Sequence, residues 1–194
     1  MNLKVQQGRA TSKRLLKIAR RAFEKKGFAA VTTQEIISKA GVTKGAFYHH
    51  FASKADLFEA VYRDAETEMG ERIKLASAAE KKPFDQLVSG CFAYLDCCCD
   101  SNLHRILRIE GPAALGQARW QKIDGEFGVD RLLPFINQLA DSGVIYPPSI
   151  EAFAFQVTGA MNEATFWVSQ HPEPKRALEE SKQMLKHFLD SVRQ

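Results

Sequence analysis

One stretch constrains the fold more than any other: residues 32–54 read T-T-Q-E-I-I-S-K-A-G-V-T-K-G-A-F-Y-H-H-F-A-S-K. Thr32 offers a side-chain oxygen to cap a first helix, and Glu35 follows at the spacing of a reciprocal capping box. Gly41 permits the tight reversal that ends this helix, and Thr43 is placed to begin the next one. The stretch therefore predicts a helix-turn-helix.

The second helix of this motif is predicted to bury one face and expose the other. Phe47 and Phe51 are four residues apart, so both point towards the interior. The opposite face then meets solvent, where its side chains can approach phosphates and base edges. Its members are Lys44, Gly45, Tyr48 and His49. Because this face suits a DNA groove, the sequence predicts a DNA-binding protein.

Formal charge is unevenly distributed along the chain. Residues 1–54 hold 12 Lys and Arg against two acidic residues, a balance of +10, whereas residues 55–194 hold 15 against 21, a balance of −6. A basic end on an otherwise acidic chain suits a surface that meets polyanionic phosphate. A merely solvated basic helix is the alternative, but the neighbouring helix-turn-helix favours the DNA interpretation.

Apolar residues recur at helical spacing throughout the chain, so the sequence predicts an all-α fold. A first helix is expected over residues 11–26, and a fourth, connecting helix over about residues 53–70. We expect residues 1–54 to form a three-helix DNA-binding domain packed on an all-helical domain of residues 55–194. In that second domain a helix is expected to end at Gly111-Pro112. Helix is expected again from Leu115 to Gly143, with a bend or break at Gly125, Gly128 and Pro134.

Several functional classes find no support in the sequence. No apolar run approaches the roughly 20 residues of a membrane span, and the first residues lack the pattern of a secretory signal. We therefore expect a cytoplasmic protein without a membrane partner. The chain contains no P-loop, G-x-G-x-x-G or G-x-S-x-G motif and no His–carboxylate spacing for a metal. Neither an enzyme nor a cofactor or metal site is expected.

Four cysteines fall within nine residues: Cys91, Cys97, Cys98 and Cys99. Neighbouring cysteines on one helix point in different directions, so they do not form a disulfide framework. Buried small apolar side chains are the simplest interpretation, with thiol sensing or metal binding as the alternatives.

The first 65 or so residues resemble the TetR family of bacterial transcriptional regulators, of the TetR/AcrR type. The shared signals are a basic first helix ending in K-G-F, then T-T-x-E-I, A-G-V-T-K-G-A-F-Y-H-H-F and S-K-x-D-L-F. The resemblance implies a DNA-binding domain on an all-helical domain for ligand binding and dimerisation. It assigns groove contacts to Thr43, Lys44, Gly45 and His49, and phosphate contacts to Thr33, Tyr48, His50 and Lys54. In addition, Arg9, expected ahead of the first helix, is placed to reach a minor groove.

A single recognition helix reads only a few base pairs, so we expect a homodimer on a palindromic operator. The last two helices are the candidate interface, because each carries an apolar stripe that suits a four-helix bundle. The stripes comprise Phe153, Val157, Ala160 and Ala164 on one helix, and Leu178, Leu185, Phe188 and Val192 on the other. The same stripes can instead form intramolecular core.

An effector pocket is expected around Asn162 and Glu163, because polar groups inside an apolar run are costly unless they are paired or face a cavity. Aromatic and charged side chains are expected to complete its walls for a small organic molecule. These are Phe92, Tyr94, Glu110, Trp120, Phe155 and Phe166. A satisfied core pair that braces two helices is the competing interpretation.

The function expected from these features is a ligand-responsive repressor that binds operator DNA. Two alternatives remain open, namely a thiol-responsive regulator and an architectural DNA binder that needs no ligand. The operator sequence, the effector and the direction of regulation are not encoded in any motif of the chain.

Overall fold

A computed structural model describes residues 3–193, and for residues 3–5 and 101 it describes the backbone alone. The outer limits of the two expected domains, Met1 and Gln194, lie outside this range. Within it the all-α prediction is confirmed, since the only β feature is an isolated bridge between Ile145 and Arg193. The helices are α1 Leu3–Lys26, α2 Thr33–Ala40, α3 Lys44–His50, α4 Lys54–Ala78, α5 Pro83–Cys99, α6 Ser101–His104, α7 Gly111–Leu115, α8 Gln117–Phe127, α9 Val129–Asp141, α10 Ile150–Gln170 and α11 Pro174–Asp190.

Helix α1 begins eight residues earlier than the expected start at Thr11. The polar residues before Thr11 carry no apolar stripe, so the periodicity of the sequence does not indicate a helix there. Gly8, in this added part of the helix, lies near His50, because a Cβ on Gly8 would lie 3.8 Å from Cε1 of His50. The beginning of α1 therefore packs beside the end of α3.

The helix-turn-helix forms at the expected residues. The hydroxyl of Thr32 accepts a hydrogen bond from the Glu35 amide at 3.1 Å, and that of Thr43 accepts one from the Ala46 amide at 3.1 Å. Gly41 takes the left-handed conformation with φ of 60°, as a helix-ending glycine does. Phe47 is fully buried, so α3 is anchored by its inner face.

The chain packs as two compact units, one of which is discontinuous in sequence. The first contains residues up to Ala65 together with Arg105–Trp120, and the second contains Glu66–His104 and the residues from Gln121 onward. The division therefore falls inside α4, later than the expected limit at residue 54. Helix α4 continues to Ala78, beyond the expected end near residue 70. Ile73 and Ala76 remain partly buried in this extension.

The segment Arg105–Trp120 departs from the expected helix pattern. Residues Arg105–Glu110 wind as a π-helix, and α7 begins at Gly111 where a helix end was expected. That expectation was wrong because a proline in the first turn needs no amide donor and so starts a helix as readily as it stops one. A Cβ on Gly111 would lie 2.7 Å from Tyr62 and 3.0 Å from Trp120, so only glycine permits this approach.

The second unit is built mainly on α5, α9, α10 and α11, which pack against one another. The stretch up to Gly143 breaks at Gly128, one of the expected positions, into α8 and α9. Pro134 remains inside α9. Apolar side chains from all four helices fill the interior, among them Leu95, Ile136, Phe153, Val157 and Leu189. No helix in the described range is long and apolar enough to cross a membrane.

Gly27 is the position in the first unit at which backbone geometry is most demanding. Its φ is 81°, and a Cβ there would lie 2.5 Å from Oε1 of Glu110. We expect Gly27→Ala to lower the free energy of unfolding by about 2 kcal/mol or more, because it adds backbone strain to a steric clash. Urea unfolding measures this change. Gly125→Ala is the matched control, since a Cβ there meets nothing within 4 Å, and a loss as large in this control would contradict the explanation.

Candidate DNA-binding surface

Helix α3 presents the side chains that the sequence predicted for a DNA groove. Thr43, Lys44, Gly45 and His49 are exposed, and Tyr48 retains 46% of its accessible surface. Lys44 adds a positive charge at the first turn, and Gly45 lets the backbone approach a base edge or sugar. The arrangement has the chemistry of a recognition helix.

Three of the predicted contacts lie around this helix. Thr33 is the first residue of α2 and is partly exposed, and His50 is partly exposed at the end of α3. Arg9 is exposed but lies inside α1, so the expectation that it precedes the first helix is corrected. Because Gly8 packs near His50, Arg9 lies on the part of α1 beside α3.

Lys54 has a structural role that the sequence did not reveal. Its ammonium donates hydrogen bonds to the carbonyls of Phe28 and Val31, each at 2.9 Å, and lies 4.2 Å from the centre of the Phe28 ring. These carbonyls belong to the turn between α1 and α2. Lys54 therefore supports the fold, and the phosphate contact assigned to it stays a prediction.

Glu35 lies between two lysines instead of closing the capping box. Its carboxylate accepts hydrogen bonds from Lys26 and Lys39, each at 2.8 Å. The Lys26 contact, followed by the Lys39 contact, lowers the pKa of Glu35 from 4.5 to about 2. The Lys26 salt bridge joins the end of α1 to α2, whereas the Lys39 salt bridge lies within α2. The first of them therefore helps to set the position of the helix-turn-helix.

Two residues expected in the effector pocket belong to the first unit. The Glu110 carboxylate accepts a hydrogen bond from the Phe28 amide at 2.8 Å and pairs with Arg105. Trp120 donates its indole N–H to the Tyr62 hydroxyl at 3.0 Å. Glu110 thus attaches the segment Arg105–Trp120 to the turn after α1, and Trp120 attaches it to α4.

Arg119 makes a third attachment, to the beginning of α4. Its guanidinium donates to Asp56 at 3.0 Å and to Glu59 at 2.5 Å. The Arg119 hydrogen bond, helped by Ser53, lowers the pKa of Asp56. Burial alone would raise the pKa of Glu59, but hydrogen bonds from Arg63 and Arg119 outweigh it and lower the pKa. Both carboxylates are therefore held ionised at neutral pH.

In the second unit the structure brings together only part of the expected pocket. The Tyr94 hydroxyl donates a hydrogen bond to the side-chain oxygen of Asn162, linking α5 to α10. Phe92 is partly exposed on α5. Three further expected residues lie on the exposed side of α10 and not around that pair, namely Phe155, Glu163 and Phe166.

An exposed apolar face runs along α10 and α11, but its members differ from those expected. Phe153, Val157 and Leu185 are buried within the subunit, so their assignment to an interface is corrected. The expected stripes mixed two faces because both faces of α10 carry apolar residues. The large exposed members are Phe155, Phe166, Trp167 and Met184. A groove between the helices is lined by Ala160, Ala164, Trp167, Glu180, Ser181, Met184, Leu185 and Phe188.

The cysteines are placed as apolar side chains. Cys91, Cys97 and Cys98 are buried, and Cys99 is half-buried. Burial raises the pKa of the Cys91 thiol to about 12 and that of Cys99 to about 11, and it also raises the pKa of Cys97. Thiols with raised pKa form little thiolate, so this environment disfavours reactivity. Within the described range no three His, Cys, Asp or Glu side chains gather as a metal site.

The helix-turn-helix, its exposed face and the helical second unit define a DNA-binding transcriptional regulator. Two family descriptions match the chain: "Bacterial regulatory proteins, tetR family" over residues 15–61 and "Tetracyclin repressor-like, C-terminal domain" over residues 84–192. The chain therefore belongs to the TetR family. Regulators of this family are in general not enzymes.

Similarity to individual proteins agrees with this assignment. The chain is 32% identical to the transposon Tn10 TetC protein of Escherichia coli over 131 residues, 68% of this chain and 66% of that protein. It is 42% identical over 50 residues to the transcriptional repressor KstR2 of Mycolicibacterium smegmatis, 26% of this chain and 24% of that protein. The chain thus spans less than two thirds of these curated relatives. A TetR-family regulator from Pectobacterium atrosepticum has the same fold, with a TM-score of 0.82, 26% identity and coverage of 97% and 96%.

The electrostatics of Glu35 give a testable expectation. Replacing both Lys26 and Lys39 by Ala should raise its pKa from about 2 towards the ordinary 4.5. Because the folded-state pKa is depressed, the interaction stabilises the fold above about pH 4.5 and is lost as the pH falls towards 2. Carboxyl-resolved NMR titration measures the shift. A Lys17→Ala variant, also on α1, should leave the Glu35 titration unchanged; a similar rise there would contradict the assignment.

Proposed function

We propose that this protein is a ligand-responsive repressor that binds a palindromic operator as a homodimer. The observation that carries the proposal is the exposed face of α3, which is anchored by buried Phe47 and lies in the strongly basic part of the chain. The relative KstR2 is named a repressor, which favours repression over activation. Selection of DNA fragments from a random pool tests the proposal, and recovery of no shared inverted repeat would contradict it.

The proposed DNA contacts differ in chemistry: some suit the groove and others suit a phosphate. Lys44, Gly45 and His49 suit the groove because they lie on the exposed side of α3. Tyr48 suits a phosphate, since its hydroxyl can donate to an anionic oxygen. Thr33, Thr43 and His50 flank them, and Arg9 adds charge from α1. Phosphate contacts of this kind set the register of the protein on the duplex.

Lys44 and Tyr48 are the most informative positions for substitution. We expect Lys44→Ala to reduce the salt dependence of operator binding by about one phosphate contact per copy. Tyr48→Ala should weaken binding about tenfold, because a hydrogen bond to a charged group is lost. Titrations of fluorescent operator DNA at several salt concentrations measure both effects. Lys81→Ala, an exposed lysine outside the first unit, is the control and should bind as the wild type does.

Dimerisation is assigned to the exposed face of α10 and α11. Phe155 and Phe166 are 57% and 56% exposed, and Met184 is 66% exposed, an unusual amount of large apolar surface for two adjacent helices. A second copy packed on this face would bury these side chains and form a four-helix bundle. The two recognition helices of such a dimer would then read two half-sites.

Charge placed on this face should prevent dimerisation. We expect the double variant Phe166→Asp with Met184→Asp to sediment as a 21.8 kDa monomer at micromolar concentration, while the wild type sediments at twice that mass. Leu75→Asp is the matched control, since Leu75 is 71% exposed on α4, and it should remain dimeric. A monomeric wild type, or a double variant that stays dimeric with intact helical content, would refute the interface.

The effector is assigned to the second unit, near Tyr94 and Asn162. A tyrosine hydroxyl and an amide joined across two helices offer an acceptor and a donor that an organic ligand can replace. Phe92 lies on the same helix as Tyr94 and is partly exposed there. Repression is relieved when a ligand favours the conformation that does not fit the operator. Screening small organic molecules for release of the selected operator tests this assignment, with Tyr94→Phe as the variant expected to lose the response.

A further inference from the structure

The outward side of α1 carries four exposed cations at a regular interval, Lys13, Lys17, Arg21 and Lys25, which together form the α1 row. We propose that the α1 row is a second DNA-binding surface, which holds the phosphates of a duplex other than the one read by α3 and does so whatever the sequence of that duplex. This inference goes beyond operator recognition. It rests on the proposed function only for the operator that occupies α3.

The α1 row points away from the recognition helix. An α-helix turns by about 100° per residue, so Lys17 lies about 160° around α1 from Leu15 and from Ala19, which are both fully buried. Lys17 also lies about 180° from Gly8, the residue of α1 that packs beside His50 at the end of α3. A duplex bound along the row would therefore lie on the side of α1 that is turned away from α3.

The charges of the row are not neutralised within the fold. Among the described residues, no carboxylate forms an ion pair with any of its four members. Each member instead has another cation four residues away in the same helix, and like charges at this spacing destabilise a helix. Elsewhere the chain places an acid at that spacing, as in Arg20–Glu24, Lys39–Glu35, Arg63–Glu59, Arg72–Glu68, Arg176–Glu180 and Lys186–Asp190. The row therefore keeps a repulsion that a bound polyanion would relieve.

A groove of about 400 Å³ runs beside the row, and its carboxylates are already engaged. Arg20 donates to Glu24 at 2.9 Å and to Asp64 at 3.2 Å, so both acids of the groove have a cationic partner. The members of the row that line the groove keep their full charge and attract anions. The whole lining comprises Lys13, Leu16, Lys17, Arg20, Arg21, Glu24 and Asp64.

The chemistry of the row fits a phosphate backbone better than it fits a protein. With a rise of about 1.5 Å per residue, its cations stand about 6 Å apart over about 18 Å of helix. A duplex presents one negative charge for about every 1.7 Å of its axis, so several phosphates lie within the length of the row. A protein partner would need an apolar or aromatic centre, whereas Leu16 alone is apolar among the described residues that line the groove. Contacts to phosphate carry no sequence information, so any duplex would serve.

Two duplexes with different fluorescent labels test this inference. The full-length protein is saturated with its selected operator, and an unrelated duplex that lacks the inverted repeat is then added at several salt concentrations. The wild-type complex should bind the second duplex and show energy transfer between the labels. In the row variant, Lys17→Ala with Arg21→Ala, the slope of log K against log salt for the second duplex should fall by about two per copy. Operator affinity should stay unchanged, because α3 is intact.

A second double variant controls for charge. Lys74→Ala with Lys81→Ala removes two exposed cations outside the first unit, and it should bind both duplexes as the wild type does. Circular dichroism and urea unfolding check the row variant, which should be at least as stable as the wild type because like-charge repulsion is removed. If the row variant does not fold, Lys13→Ala with Lys25→Ala, at the ends of the row, decides by the same measurements.

The outcomes separate this inference from the proposed function. Failure of the wild-type operator complex to bind a second duplex would overturn the inference alone, as would unchanged second binding in the row variant. An equal loss of operator affinity in the row variant would overturn it too, because the row would then contact the operator itself. Binding of poly-L-glutamate without binding of the second duplex would assign the surface to an acidic protein instead. If the wild type binds no operator, the proposed function fails, and weaker binding of the unrelated duplex by the row variant still supports the row.

Discussion

One long helix and two short ones, α1 to α3, bury too little apolar surface to be stable alone, and this limit shapes the first unit. The unit draws on α4, whose Phe58 and Tyr62 are fully buried, and on a segment that lies 40 residues further along the chain. That segment contributes polar partners as well as packing surface. Glu110 accepts a hydrogen bond from the Phe28 amide, and Trp120 donates one to the Tyr62 hydroxyl. The position of the recognition helix thus depends on residues well outside its own motif.

Charge has two separate roles in this unit. Exposed cations such as Lys44 have no fixed partner among the described residues and remain available for phosphate. Other cations are engaged in the fold: Lys26 and Lys39 share Glu35, and Lys54 holds the turn after α1. The balance of +10 in residues 1–54 therefore overstates the charge that is free to meet DNA.

The sequence was sufficient for local structure and insufficient for partners distant along the chain. Spacing within a few residues predicts that Thr32 and Thr43 cap helices and that Phe47 is buried. The structure confirms all three. The carbonyl partners of Lys54 lie more than 20 residues away, and no local pattern indicates them. The effector residues were grouped by type alone, and the structure divides them between two units because nothing in residue type encodes which helices meet.

The discontinuous first unit has a consequence for biosynthesis. A ribosome adds residues in order, so the helix-turn-helix is complete in sequence long before the segment that supports it has been made. The contact between the Phe28 amide and Glu110 spans 82 positions, and closing such a loop is slow relative to local helix formation. The DNA-binding first unit of the nascent chain is therefore incomplete until residue 120 has left the exit tunnel. For the same reason, a fusion protein that contains only residues up to Ala65 would lack the segment Arg105–Trp120, and its DNA-binding unit would be incomplete.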